Sequence, residues 1–167
     1  PGQTMLVQGA SGGVSTALIQ LGRAAGMRVW VTGRDEKKRA LAEELGAHET
    51  FPVGGRLPER VDAVFETVGE ATWAHSMRAL KPGGTIVVSG STSGPNPGAD
   101  LQRLFFRQLR VVGSTMGTRE ELVDLLAFVT TTGITPQIGL ELPMDRAREG
   151  FEAMLEGRTA GKIVLTR

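Results

Sequence analysis

The chain has no cysteine and no tyrosine. The first absence excludes a disulfide framework, a thiolate metal site and a thiol nucleophile. The second excludes any Tyr-x-x-x-Lys acid–base pair. Histidine is scarce: His48 and His75 are too few and too isolated to suggest a metal site. Charge of one sign is missing too. Nineteen Lys and Arg face eighteen Asp and Glu, for a net charge of +1, and the two signs are interspersed. That argues against a nucleic-acid or polyanion surface. No apolar run approaches the ~20 residues of a membrane span, and no signal-peptide pattern is visible. The expected setting is cytoplasmic, with neither a membrane nor a nucleic acid as partner. The 167 residues form one domain, 1–167, on the usual prior and bury a sizeable core.

What is present begins with Thr4 to Gly26, TMLVQGASGGVSTALIQLGRAAG. Met5-Leu6-Val7 reads as a buried strand. A turn follows through Gly9-Ala10-Ser11-Gly12-Gly13, and then a helix with Val14, Leu18, Leu21 and Ala25 on one face. The first N–H groups of such a helix lack internal partners, and its peptide dipoles add positive potential, so the turn is an anion site. Val29-Trp30-Val31 closes a βαβ unit within roughly 30 residues, as a dinucleotide fingerprint requires. Written G-x-G-x-x-G, the fingerprint departs at Ala10 and Ser15, both small.

Further on, a helix around Leu41 and Leu45 stops at Gly46. Glu49–Val53, Val61–Phe65, Thr85–Ser89 and Leu109–Val112 read as strands three to six. Trp73, Met77 and Leu80 mark a helix face, and Lys81-Pro82-Gly83-Gly84 turns the chain. A Gly/Pro/Ser loop runs from Ser91 to Gly98, and a short helix follows from Leu101 to Arg107. Thr118 with Glu121 forms a capping box for a helix carrying Leu122, Leu125, Leu126 and Val129. Then come a short strand at Gln137–Leu140, a helix from Met144 to Glu156 with Ala147, Phe151, Met154 and Leu155 inward, and a strand at Lys162–Thr166. Alternating strands and helices predict an α/β fold: a doubly wound parallel sheet of order 3-2-1-4-5-6 with helices on both faces, a Rossmann fold. In that order the turns after strands 1, 4 and 5 open on one crevice.

The end of strand 2 discriminates between cofactors. An acid there suits the ribose hydroxyls of NAD(H), whereas a basic residue suits the 2′-phosphate of NADP(H). Gly33 stands where the acid is expected, Arg34 follows, and Lys38 lies one helical turn on. The reading is NADP(H) over NAD(H). Two alternatives stay open: Arg34, Lys37 and Lys38 as an ordinary solvated helix start, and Asp35 as the ribose acid.

The segment from VQGASGGVS to EELGA, together with VDAVFETVG, LKPGGTIVVSG, VVGSTMGTREEL and GRTAGKIVLTR, resembles the cofactor domain of the medium-chain dehydrogenases/reductases, the zinc-type alcohol dehydrogenase and quinone oxidoreductase superfamily. These stretches occur in the family's order over nearly the whole chain. The resemblance implies that Gly12, Gly13 and Val14 hold the pyrophosphate. It places Thr32, Gly33, Arg34 and Lys38 around the adenosine ribose and 2′-phosphate, and Thr67, Val68 and Gly69 along the cofactor. Ser89, Gly90 and Ser91 fall near the nicotinamide half. Phe51 stands in the region where quinone-reductase-like members often carry a tyrosine for the phosphate. The family's N-terminal GroES-like catalytic domain, with the substrate pocket and any zinc ligands, is expected outside this chain. A small-molecule substrate would bind there, and homodimerisation would use an edge strand near Gln137–Leu140.

The reaction this implies is hydride transfer between nicotinamide and a carbonyl, quinone, activated alkene or alcohol. No residue here is expected to act as a catalytic acid or base. His48 and His75 read as structural, Asp62 and Glu66 as solvated or capping, and Asp100 and Arg103 as a solvated helix start. Two other readings are a non-catalytic nucleotide-binding or scaffolding module and an S-adenosylmethionine-binding domain. Gly33 in place of an acid weighs against the second.

Overall fold

Strand β1 (Thr4–Gln8) is buried along its whole length and forms the centre of the molecule. The structure, a computed structural model, describes residues 1–167. Its order is β1, α1 (Gly13–Ala24), β2 (Arg28–Thr32), α2 (Glu36–Glu44), β3 (Glu49–Phe51), β4 (Val61–Glu66), α3 (Glu70–Ala79), β5 (Leu80–Val88), α4 (Leu101–Phe106), β6 (Arg110–Gly113), α5 (Arg119–Thr132), β7 (Ile138–Pro143), α6 (Ala147–Leu155) and β8 (Lys162–Thr166). The first six strands form one sheet, β3-β2-β1-β4-β5-β6, parallel throughout. This is the expected doubly wound order.

Side chains alternate across the sheet, as a period of two requires. Leu6, Trp30, Val64 and Ile86 pack with Met77 of α3. Met5, Val7, Val29 and Val31 pack on the other face with Ile19 of α1 and Ala42 of α2. Trp30 is 1% exposed and meets Phe51 edge to face, ring centroids 5.6 Å apart.

Several elements differ from the sequence expectation. Helix α1 buries Ser15, Thr16, Ile19 and Gly22, not Val14, Leu18, Leu21 and Ala25, and Val14 is exposed. The helix lies so close to the sheet that a β-carbon on Gly22 would stand 2.5 Å from Met5 Sδ. Small residues face the strands there together with Ile19, while Leu18 packs only partly buried against the same core. Helix α6 does the same: Gly150 and Ala153 are buried, while Phe151, Met154 and Leu155 are exposed. Strand β3 stops at Phe51, because Pro52 has no N–H for the ladder. Leu80 ends no helix but begins β5, and the expected Lys81–Gly84 turn is an irregularity inside that strand, between Val61↔Leu80 and Ala63↔Thr85. The segment around Gln137–Leu140 lies outside the large sheet, since β7 pairs with β8 in a separate two-stranded parallel sheet. The large sheet ends at β3 and β6. No helix is long and apolar enough to cross a membrane.

Candidate functional site

The C-terminal ends of β1, β2, β4 and β5 open on a cleft of about 940 Å³. Gly12, Gly13, Val14, Gly33, Arg34, Lys38, Thr67, Val68, Ser89 and Gly90 line it. Of the other expected residues, Thr32 is fully buried beneath the cleft, Gly69 is buried as the N-cap of α3, and Ser91 is exposed outside the lining.

At the floor, no side chain caps α1 at Gly12. Its first N–H groups are therefore left for a ligand, with the positive end of the helix dipole behind them. Above them lies a cation that sequence reasoning missed. The Lys162 side chain crosses from β8 so closely that a β-carbon at Gly13 would stand 2.7 Å from its Cε and 2.9 Å from its Nζ. Gly161 N–H donates to Ser11 O (2.8 Å), which docks that segment on the glycine turn. The only hint in the sequence was a lysine in the closing GRTAGKIVLTR. Nothing local to it points to a turn more than a hundred residues earlier.

One departure from the glycine fingerprint, Ala10, lies against the position of the missing acid. A β-carbon on Gly33 would stand 2.9 Å from the Ala10 β-carbon. Arg39 Cγ stands equally close, at 2.9 Å, so Ala10 and Arg39 together leave no room for an acidic side chain at position 33. Asp35, the alternative ribose acid, is the N-cap of α2 and accepts from Lys37 N–H (2.8 Å). Arg34 is exposed at the rim. Lys38 Nζ donates to Gly157 O (2.7 Å), which holds the lysine at the same rim.

Beneath the cleft runs a polar network. Thr32 hydroxyl donates to Gln8 Oε1. Gln8 Nε2 donates to Ser76 Oγ (2.9 Å) and approaches His75 Nδ1 (3.0 Å). Ser76 hydroxyl donates to Glu66 Oε2 (2.6 Å). His75 Nε2 lies 2.9 Å from Gly55 O and must donate to it, while the Gln8 amide, whose oxygen takes the Thr32 hydroxyl, turns its N–H towards Nδ1; Nδ1 is therefore the acceptor and the imidazole is neutral. Burial lowers the His75 pKa below its ordinary value near 6.5. Glu66, expected to be solvated or to cap, is fully buried and accepts the N–H groups of Val68 and Gly69 at the head of α3. Asp62 pairs with Lys81 (2.9 Å) and accepts Thr4 N–H (2.8 Å).

The His75 shift fixes the sign of a pH effect. As pH falls below about 6.5 the unfolded chain takes up its proton first, so stability declines towards acid and is flat above. His48, lowered by burial and then by Arg23 and Arg28, adds a slope of the same sign. Thermal melts from about pH 7.5 to 5 therefore show a steeper fall for wild type than for His75→Gln. Equal slopes would mean that His75 is not held neutral.

No group of three His, Cys, Asp or Glu side chains could hold a metal ion. Zinc does not fit these residues.

Residues 13–131 match the zinc-binding dehydrogenase family. The chain is 32% identical over 184 residues to a zinc-type alcohol dehydrogenase-like protein of Leptosphaeria maculans, covering 99% of this chain and 51% of that protein. A solved NAD-dependent alcohol dehydrogenase superimposes with a TM-score of 0.91 at 33% identity, over 100% of this chain and 52% of that one. A mycobacterial protein solved with NADPH superimposes with a TM-score of 0.88 at 27% identity, over 99% and 57% of the two chains. The chain spans about half the length of the curated relatives it matches.

Proposed function

This chain belongs to the zinc-binding dehydrogenase family, as the nucleotide-binding domain of medium-chain oxidoreductases, and on that premise we propose that its glycine-lined cleft binds NADP(H) in preference to NAD(H). The observation that carries the proposal is the pairing of an uncapped helix N-terminus with the Lys162 side chain over Gly13. Together they supply N–H donors and a cation for a pyrophosphate. The preference for NADP(H) rests on Gly33, where Ala10 and Arg39 leave no space for a ribose-binding acid, and on Arg34 and Lys38 at the rim. Thr67, Val68, Ser89 and Gly90 line the same cleft after β4 and β5, and on this reading they would meet the nicotinamide half.

When bound, the nicotinamide supplies the hydride for reducing a carbonyl, quinone or activated alkene, or accepts one from an alcohol. The residues of this chain bind and orient it.

Arg34→Ala tests the phosphate assignment. NADPH affinity falls by about 1.5–3 kcal/mol, about 10–100-fold, the scale of a charged hydrogen bond. NADH affinity stays within about twofold, since the NADH ribose carries no phosphate for the arginine to meet. Equal losses for the two cofactors would refute the assignment.

A further inference from the structure

We propose that Glu66 is the positioning residue for the nicotinamide half of the cleft, an inference that rests on the NADP(H) reading above. Glu66 ends β4 with 0% exposure. No lysine or arginine forms an ion pair with it; the chain's ion pairs involve Glu59, Asp62, Asp100, Glu149, Glu152 and Glu156. A carboxylate buried without a cation is costly unless hydrogen-bond donors surround it. Here four do. Oε1 accepts the N–H groups of Val68 (2.9 Å) and Gly69 (3.1 Å) and the Thr72 hydroxyl (2.8 Å), and Oε2 accepts the Ser76 hydroxyl (2.6 Å). Two of these donors are backbone groups of the Thr67–Gly69 turn, which wraps over the carboxylate and forms part of the cleft wall on its other side.

That turn carries the next loop. Val68 O accepts both the N–H (2.7 Å) and the hydroxyl (2.7 Å) of Ser93. Ser93 Oγ in turn accepts Ala71 N–H (3.0 Å), and Gly94 O accepts Glu70 N–H (3.3 Å). The loops after β4 and β5 are one hydrogen-bonded unit, with Glu66 beneath and Ser93 on top. The sheet order puts this unit on the far side of β1 from β2, where Gly33 and Arg34 stand. Glu66 binds the nicotinamide wall directly, through the turn amides, and reaches Thr32 on the adenosine side only through Ser76 and Gln8.

Titrations with NADPH and with adenosine 2′,5′-bisphosphate, the adenosine half alone, test this. Glu66→Gln weakens NADPH about tenfold and the bisphosphate less than about twofold. Ser93→Ala, on the exposed loop, does the same about threefold with an unchanged melting temperature. It carries the test if Glu66→Gln lowers the melting temperature. A purely structural role would weaken both ligands together. Equal loss on both ligands, or unchanged NADPH affinity in both variants, would overturn the proposal. A wild-type chain that binds neither ligand overturns the cofactor reading, and this one with it.

Discussion

Gly13→Val weakens NADPH and NADH alike, by about 100-fold, while the melting temperature stays close to that of wild type. The new β-carbon falls 2.7 Å from Lys162 Cε, so the lysine must swing off the turn. It can do so cheaply, because the obstacle is the end of a flexible side chain and not backbone. Valine's methyl groups then stand beside the first N–H groups of α1. The pyrophosphate loses a cation and close approach to those donors, about 3 kcal/mol for two charge-assisted contacts, or about two decades of affinity. Both cofactors share the pyrophosphate, so the loss does not discriminate between them, in contrast to Arg34→Ala. Calorimetric titration of the variant gives the affinity and a thermal melt checks the fold. Unchanged binding would mean that the turn is not the site.

The second large effect is on stability. Trp30→Ala costs about 3–5 kcal/mol, the usual range for deleting a buried aromatic, and lowers the melting temperature by about 10–15 °C for a domain of this size. Trp30 is 1% exposed and lies on the face it shares with Leu6, Val64 and Ile86. Its edge-to-face contact with Phe51 ties β2 to β3. The indole Nε1–H has no acceptor, so the ring is not held by a hydrogen bond and contributes by packing and by the Arg28 guanidinium 5.0 Å from its centroid. Trp30→Phe removes that unpaired donor and most of the packing survives, so its cost stays below about 1.5 kcal/mol. Chemical denaturation of both variants measures the difference. Equal destabilisation by alanine and phenylalanine would contradict a packing role.

The parts of the molecule that could be read in the sequence depend on local chemistry. The βαβ unit is marked by an apolar triplet, a glycine turn and a second apolar triplet, all within one short span. Thr118 and Glu121 form the expected reciprocal capping box, with Glu121 N–H to Thr118 Oγ1 at 3.1 Å and Thr118 N–H to Glu121 Oε2 at 2.7 Å. Strand order followed from the handedness of crossovers. Helix faces were misread where packing is closest. Periodicity selects bulky residues, but α1 and α6 turn Ser15, Gly22, Gly150 and Ala153 towards their strands because large side chains would not fit.

The cleft was legible where its residues follow strand ends directly, as Gly9, Gly33, Thr67 and Ser89 do. Its supports were not. Glu66 looks like any strand-end acid until Ser76, Thr72 and the turn amides surround it. Gln8 reaches Ser76 across 68 positions, and no local pattern predicts that contact. Lys162 joins the site only because β8 is docked on the glycine turn through Gly161 and Ser11. The space between Gly33 and Ala10 likewise becomes visible only when β1 and β2 lie side by side.

The central claim is that this cleft takes NADP(H) through the glycine turn, Lys162 and Arg34. Calorimetric titration of the chain with NADPH and, separately, NADH tests it most directly. The account predicts saturable binding of both, with NADPH about tenfold or more tighter, the increment of one charge-assisted contact to the 2′-phosphate. Tighter binding of NADH, or no binding of either, would contradict it.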